Sequence, residues 1–144
     1  MTNSPKYWNY AKKYLSKKDK IMSKLIKQYN SPSEIILKSR KDVFFSLCKS
    51  IIGQQISVAA ANSVFLKFKK KCKNKINPKI VNKLTIYQLK SCGLSRLKAL
   101  GIKSLAKQIL NKSFNPKIIK NMDDEEAILY LSKLRQIGRW SAEM

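Results

Sequence analysis

The chain has 144 residues, of which 44% are hydrophobic and 27% are charged. This is the composition of one folded domain and excludes a disordered segment. Its 31 Lys and Arg residues against 8 Asp and Glu residues give a formal net charge of +23, which favours a polyanionic partner such as nucleic acid. Histidine is absent, which excludes Ser-His-Asp and Cys-His catalysis and His-based metal sites.

The basic charge has a second explanation. Lysine supplies nearly all of it, since Arg occurs only at Arg40, Arg96, Arg135 and Arg139. Asn and Ile are also plentiful, and all three residue types accumulate in proteins from A/T-rich genomes. The charge is therefore compatible with DNA binding and equally with codon bias.

Membrane and secretory features are missing from the sequence. No stretch approaches the roughly 18 apolar residues of a membrane span, and the first ten residues lack the apolar run of a signal peptide. Three widely spaced cysteines, Cys48, Cys72 and Cys92, are typical of buried reduced thiols and not of a disulfide framework or a metal site. We expect a monomer without membrane contact, located in the cytoplasm and associated with the nucleoid if bacterial.

Two leading helices are predicted at the start of the chain. Ser4 followed by Pro5 is a cap-and-proline pair, and it predicts a first helix that runs to about Leu15. Ser16, with Asp19 three residues later, predicts a capping box that begins the second. A short apolar segment follows at 35–37.

The strongest apolar stripe follows these leading helices, between Asp42 and Gln54. Its apolar side chains recur at helical spacing and are Phe44, Leu47, Cys48, Ile51 and Ile52. Gly53 stands where this helix is expected to end, and Ser57 is the predicted cap of the next one. The basic run from Lys69 to Lys75 is expected to be solvated.

The rest of the chain also contains residues that predict helix starts and helix ends. Predicted helix starts are the pairs Asn77-Pro78 and Asn115-Pro116, the capping boxes Thr85–Gln88 and Asp123–Glu126, and Ser95. Gly93 is expected to stop one helix, and Ser95 to open a longer one through Leu110. Gly101 inside that helix is expected to weaken it by about 1 kcal/mol relative to Ala. No segment alternates with a period of two, so the predicted fold class is all-α.

The last predicted elements form a helical hairpin. A helix ends at Leu131–Leu134, a tight turn occupies 135–138, and another helix begins at Arg139 and reaches Met144 within about two turns. Because so short a helix is marginal alone, we expect a C-terminally truncated chain. We place the leading helices at about 4–38 and a DNA-binding helical lobe at about 42–144, within one incomplete domain spanning 1–144.

Two segments resemble a known family. Phe45 to Ser57, which contains Gly-Gln-Gln-Ile-Ser, and Leu131 to Met144, which contains Ile-Gly-Arg-Trp-Ser-Ala, resemble the helix-hairpin-helix DNA glycosylases. More narrowly they are similar to the 3-methyladenine-DNA glycosylase II branch. Cys92–Ala99 and Asp123–Glu126 occur in the family's order, and the resemblance extends from about Tyr7. It implies a two-lobed fold with a DNA-binding cleft between the lobes.

The resemblance implies that the hairpin binds the DNA backbone. Backbone N–H groups of the turn and the dipole of the second helix would face phosphates, which makes Gln136, Gly138 and Arg139 candidates. Gly138 would supply a permissive backbone. Gln136 departs from the family, which usually has Gly there, and a side chain at φ > 0 costs energy. A monovalent cation at the hairpin is the only cofactor that the resemblance suggests; no other metal is implied. An ordinary αα-turn is the alternative interpretation.

The resemblance also assigns a base pocket and a wedge. Trp140 occupies the position of the Lys nucleophile in lyase-capable relatives; because Trp forms no Schiff base, it would line the pocket with Met144. An indole face attracts the positive charge of 3-methyladenine and 7-methylguanine. Gln55 matches the residue that fills the gap left by a flipped nucleotide, and Gln54 is expected to brace the turn. The alternatives are core packing for Trp140 and helix capping for Gln55.

Removal of alkylated bases from double-stranded DNA is the implied function. The catalytic residue of the family is an Asp, which is expected beyond Met144; Asp19, Asp42, Asp123 and Asp124 are interpreted as helix caps or first-turn acids. Three alternatives stay open. They are a glycosylase of the endonuclease III or adenine-mismatch branch, a non-enzymatic helix-hairpin-helix DNA-binding module, and a generic basic helical protein.

Overall fold

A computed structural model describes residues 7–29 and 42–144 of the chain. Spatial contacts divide the chain into two compact units, Met1–Arg40 and Lys41–Met144. The helix start expected at Ser4 and Pro5 and the short segment expected at 35–37 lie outside the described residues.

The described part of the first unit consists of α1 (Trp8–Lys18) and α2 (Lys20–Tyr29). They are separated by Asp19, whose backbone is extended (φ −139°, ψ 123°). Its carboxylate accepts a hydrogen bond from the Met22 N–H at 2.9 Å. The capping box expected at Ser16 is therefore wrong, since Ser16 lies inside α1. A carboxylate is the better partner for the positive end of a helix dipole, and it places the break three residues later.

The described part of the second unit consists of helices joined by turns and contains no strand, which confirms the predicted fold class. Its helices are α3 (Val43–Gly53), α4 (Val58–Lys71), α5 (Pro78–Lys83), α6 (Ile86–Lys90), α7 (Arg96–Leu110), α8 (Asp124–Ser132) and α9 (Arg139–Glu143). A 3-10 helix, Ile119–Asn121, precedes α8. No described helix has the length and apolar character needed to cross a bilayer.

Most of the predicted caps are present. The side chains of Asp42, Ser57, Asn77 and Ser95 each accept a hydrogen bond from a backbone N–H in the first turn of the helix that follows. Both capping boxes, Thr85–Gln88 and Asp123–Glu126, are complete. Asp124 lies in the first turn of α8. These caps, with Asp19 before α2, show that the helix boundaries follow from local polar groups.

The helix start expected at Asn115 and Pro116 is wrong. The Asn115 side chain accepts from the Lys117 N–H, two residues on, at 3.0 Å, which is an Asx turn and not a helix cap. The Asn115 N–H donates to the Tyr130 hydroxyl at 2.9 Å. This tertiary contact with α8 fixes a turn where local propensity favours a helix, and only the 3-10 helix follows.

The core of the second unit lies between α7 and the helices around it. The five apolar residues of the stripe on α3 are all buried, as are Phe68 of α4 and Ile102 and Leu105 of α7. Phe68 is completely buried, so truncation to Ala is expected to cost about 3–5 kcal/mol of folding free energy. The hairpin is attached to this core through Leu134 and Ile137.

The three cysteines are free and buried, as predicted. Burial, and secondarily the neighbouring Cys92 thiol, raises the pKa of Cys72 to about 11. Burial also raises the pKa of Cys48 and of Cys92. A raised pKa keeps these groups as neutral thiols, which are poor nucleophiles and poor metal ligands. Their role is to fill the core as small apolar side chains.

Candidate DNA-binding hairpin and wedge turn

The helical hairpin consists of α8, a six-residue turn at 133–138 and α9. Within the turn the Leu134 N–H donates to the Leu131 carbonyl at 3.0 Å, and the Ile137 N–H donates to the Leu134 carbonyl at 3.1 Å. Leu134 and Ile137 point into the core. Apolar packing of these two side chains therefore fixes the core side of the turn, while Arg135 and Gly138 are exposed on its outer side.

The strained position of this turn is Gln136 and not Gly138. Gln136 has φ +68°, the left-handed region in which a side chain is disfavoured, as expected from its place in the hairpin. Gly138 has φ −92° and ψ 178°, a conformation open to any residue, so the permissive backbone expected at Gly138 is not needed. A Cβ at Gly138 would meet no protein atom within 4 Å. The missing side chain leaves the backbone there open to close approach from outside.

Gly101 accommodates the Gln136 side chain. A Cβ added at Gly101 would lie 2.8 Å from Cγ and 3.2 Å from Cβ of Gln136, and 3.4 Å from the Arg135 carbonyl oxygen. The hairpin turn thus rests directly on the backbone of α7. Gly101 was expected to be only a weak point of a helix; its requirement for close packing was missed, and its single signal was a glycine in mid-helix.

The wedge turn connects α3 to α4. It begins after Gly53 and contains Gln55, which is exposed and has φ +55°. The preceding residue, Gln54, has its side-chain amide directed at the hairpin. Its Nε2 donates to the Gln136 carbonyl at 2.7 Å and to the Ser141 hydroxyl at 3.2 Å. The structure thus brings the candidate wedge and the candidate backbone-binding hairpin together through Gln54, which braces the turn as expected.

Lys98 holds the other side of the wedge turn, and no role was expected for it. Its ammonium donates to the Ile52 carbonyl at 2.9 Å and to the Gln54 carbonyl at 2.7 Å. Partial burial lowers the pKa of this ammonium. The last carbonyls of a helix have no partner inside the helix, so Lys98 supplies one for α3 from α7.

Arg139 is engaged by two carboxylates. Its guanidinium donates to both oxygens of Glu125, at 2.6 and 3.2 Å, and its Nε donates to Glu143 at 2.9 Å. The hydrogen bonds that Arg139 donates to Glu125, followed by the charge of that carboxylate, raise the pKa of Arg139. All three side chains are exposed, so a phosphate would compete with Glu125 for the guanidinium.

Glu125→Gln is expected to tighten binding to intact duplex DNA by about threefold at low salt, because it releases Arg139 from a competing carboxylate. Asp124→Asn is the matched control: it removes the same charge from the preceding residue and leaves the Arg139–Glu125 pair intact. Fluorescence anisotropy on a labelled duplex measures both. Equal gains for the two variants would mean that only net charge matters and that Arg139 does not bind phosphate.

The two candidate pocket residues lie on α9 and its end. Trp140 exposes 70% of its surface and Met144 exposes 73%. Among the described residues of this 144-residue chain, Trp140 does not pack into the core. A large exposed indole beside a hairpin is a feature that folding alone does not require.

Metal-binding groups are not gathered at this site. In the described ranges, 7–29 and 42–144, no three His, Cys, Asp or Glu side chains converge as metal ligands do. The Asp residues there serve as the caps and first-turn acid described above. Between Asp42 and Asp123 the sequence contains no acidic residue. The wedge turn therefore lies in a segment whose charged side chains are all basic.

Comparison with known proteins identifies relatives along almost the whole chain. The chain is 32% identical over 138 residues to the alkylbase DNA glycosidase-like protein mag2 of Schizosaccharomyces pombe, covering 93% of this chain and 64% of that protein. It is 26% identical over 137 residues to DNA-3-methyladenine glycosylase 1 of the same yeast, covering 93% and 60%. The chain therefore spans less than two thirds of the length of either curated relative.

A solved structure and a family profile agree with these relatives. The S. pombe 3-methyladenine DNA glycosylase Mag1, solved in complex with abasic DNA, matches with a TM-score of 0.80 at 24% identity, covering 92% of this chain and 66% of that one. At that identity the likeness establishes the fold. The profile of the HhH-GPD superfamily of base excision DNA repair proteins matches residues 48–141, which include the wedge turn and the hairpin. The chain therefore belongs to the HhH-GPD superfamily of base excision DNA repair proteins.

Proposed function

We propose that this chain supplies the DNA-binding hairpin, wedge and base pocket of a monofunctional glycosylase that removes alkylated bases from double-stranded DNA. The observation that carries the proposal is the exposed Trp140 on α9, directly after the hairpin and linked to the wedge turn through Gln54. The names of the two yeast relatives, an alkylbase glycosidase-like protein and a 3-methyladenine glycosylase, support the same substrate class.

The reaction is cleavage of the bond between C1′ of the deoxyribose and the ring nitrogen of the damaged base. The bonding electrons leave with the base, water adds to C1′, and the proton that this water loses passes to the solvent. An alkylated purine that carries positive charge is a good leaving group, and the Trp140 indole face attracts that charge. Trp cannot form the Schiff base of a lyase, so water is the nucleophile and the lyase chemistry of the endonuclease III branch is disfavoured.

Each DNA-facing element has a role in this proposal. Gln55 fills the space of the flipped nucleotide. The turn with Gln136 and Gly138, and Arg139 beside it, bind the backbone, and a monovalent cation at the turn carbonyls is part of the proposal. The carboxylate that stabilises the cationic sugar is proposed to come from sequence beyond Met144, since the acids described in this chain act as caps or first-turn acids or pair with Arg139. The protein is proposed to work as a monomer.

The test is release of 3-methyladenine from methylated duplex DNA. The 144-residue chain is compared with a protein read through the gene past Met144. We expect the extended protein to free the base and the 144-residue chain to bind duplex without freeing it. If the extended protein binds DNA but frees no base, the function is that of a non-enzymatic binding module. If the 144-residue chain frees the base unaided, the catalytic carboxylate lies within it.

A further inference from the structure

Lys98 reaches from the middle of the second unit to the start of the wedge turn. Its ammonium is bonded to the carbonyls of Ile52 and Gln54 at 2.9 and 2.7 Å. The first of these belongs to the last turn of α3 and the second to the peptide that joins Gln54 to Gln55. The orientation of that peptide sets where the backbone of Gln55 begins.

Gln54 is held from two sides. Its carbonyl is bound by Lys98 of α7, while its side-chain amide donates to the Gln136 carbonyl and the Ser141 hydroxyl. These contacts connect α7, the wedge turn, the hairpin turn and α9 through one residue. Because Gln55 is held at φ +55°, a conformation that non-glycine residues adopt at a cost, the surrounding contacts must maintain it.

We propose that Lys98 is a positioning residue that acts through Gln54 to couple the placement of the Gln55 wedge to the grip of the hairpin on the DNA backbone. The inference rests on the proposed function, which gives Gln55 and the hairpin their roles. Without the ammonium, the carbonyls of Ile52 and Gln54 lose their partner and the wedge turn relaxes. Binding to DNA must then order the wedge turn again, which makes the free energy of association less favourable. The loss is therefore larger on DNA with an unfilled base position, where the wedge is used, than on intact duplex.

Lys103 provides a matched control on the same helix. Its ammonium donates to the Asn82 carbonyl at 2.8 Å and to the Leu84 carbonyl, which are the last carbonyls around the end of α5. Lys103→Met thus removes the same charge and the same kind of bond as Lys98→Met. It differs in that α5 makes none of the contacts with Gln54.

The experiment measures Kd of the 144-residue chain for two duplexes of one sequence, one intact and one carrying a tetrahydrofuran abasic-site analogue. The wild type is expected to prefer the abasic duplex. Lys98→Met and Gln54→Leu are each expected to reduce that preference about tenfold, and the double variant to reduce it no further than either alone. Lys103→Met is expected to keep the preference. The dependence of log K on log salt is measured on the intact duplex as well. Its slope is expected to change by less than roughly 0.9, the change that the loss of one phosphate contact would cause.

Two results would overturn the inference. One is an equal preference in Lys98→Met and Lys103→Met; the other is a double variant whose loss is the product of the single losses. Hydrogen exchange of the amides at 135–141 without DNA gives a second measure, and it is expected to be faster in Lys98→Met and Gln54→Leu than in Lys103→Met. A wild type with no preference for the abasic duplex contradicts the proposed function, and the exchange comparison then decides about Lys98 separately.

Discussion

Gly101→Leu is expected to lift the hairpin from α7 and to abolish its binding to DNA. Even a Cβ at this position lies within 2.8 Å of the Gln136 side chain and 3.4 Å of the Arg135 carbonyl oxygen. The further carbons of Leu add volume at a contact where one of the neighbouring atoms, the Arg135 carbonyl oxygen, belongs to the backbone and cannot move by rotating a side chain. We expect a loss of about 3 kcal/mol in the free energy of unfolding, the upper part of the range for an overpacked core. Urea unfolding followed by circular dichroism measures it.

Two smaller substitutions isolate the cause. Gly53→Ala adds a methyl group to a helix where nothing lies within 4 Å, so it is expected to be neutral or slightly stabilising. Gly101→Ala is expected to destabilise by about 1 kcal/mol, because the clash exceeds the gain in helix propensity. Combined with Gln136→Gly, which removes the atoms that clash, the same Gly101→Ala change is expected to stabilise. An equal effect in both backgrounds would show that Gly101 does not accommodate Gln136.

The helix boundaries of the second unit could be predicted because their causes are local. A cap residue binds the N–H groups of the residues that immediately follow it, so it can be predicted from a few consecutive residues. The caps predicted in this way include Ser57, Thr85, Ser95 and Asp123. The apolar stripe of α3 was equally legible, since its spacing follows directly from 3.6 residues per turn. All five members of that stripe are buried.

The errors occur where a competing group changes the outcome. Ser16 and Asp19 are two possible cap residues three positions apart, and the carboxylate of Asp19, not the hydroxyl of Ser16, caps the start of α2. At Asn115 the local pair with Pro116 favoured a helix, but the hydroxyl of Tyr130 binds the Asn115 N–H from α8. A contact between residues fifteen positions apart cannot be predicted from the local sequence pattern, although it overrides the structure that this pattern favours.

The contacts that organise the candidate site are longer still in sequence. Gln54 and Gln136 are separated by 82 residues, and Lys98 and Gln54 by 44. Neither periodicity nor composition relates residues so far apart, so Lys98 was missed although it lies in a segment that resembles the family. The candidate roles of Gln55 and Trp140 came from resemblance alone. The structure adds that both are exposed and that Gln54 and Ser141, beside them in sequence, are hydrogen-bonded to one another.

Trp140→Ala is expected to lower release of 7-methylguanine by about 10- to 100-fold in kcat/KM, measured on the protein extended past Met144. Stacking of one base on an aromatic side chain contributes about 1–3 kcal/mol, and the attraction of a cationic base to the indole face adds to it. In the 144-residue chain, where Trp140 is 70% exposed, its loss is expected to change the free energy of unfolding by less than about 0.5 kcal/mol. A drop in activity would then reflect lost substrate contact and not lost folding.

Tyr87→Ala is the matched control for this substitution, since Tyr87 is an aromatic residue on α6 with 82% of its surface exposed. It is expected to leave base release unchanged. A Trp140→Phe variant, with a weaker aromatic quadrupole, is expected to fall between wild type and Trp140→Ala. The charge argument also demands a smaller loss for an uncharged base such as hypoxanthine than for 7-methylguanine. Equal losses on the two bases would mean that Trp140 stacks on the base without attracting its charge. An unimpaired Trp140→Ala enzyme would mean that Trp140 does not line the pocket.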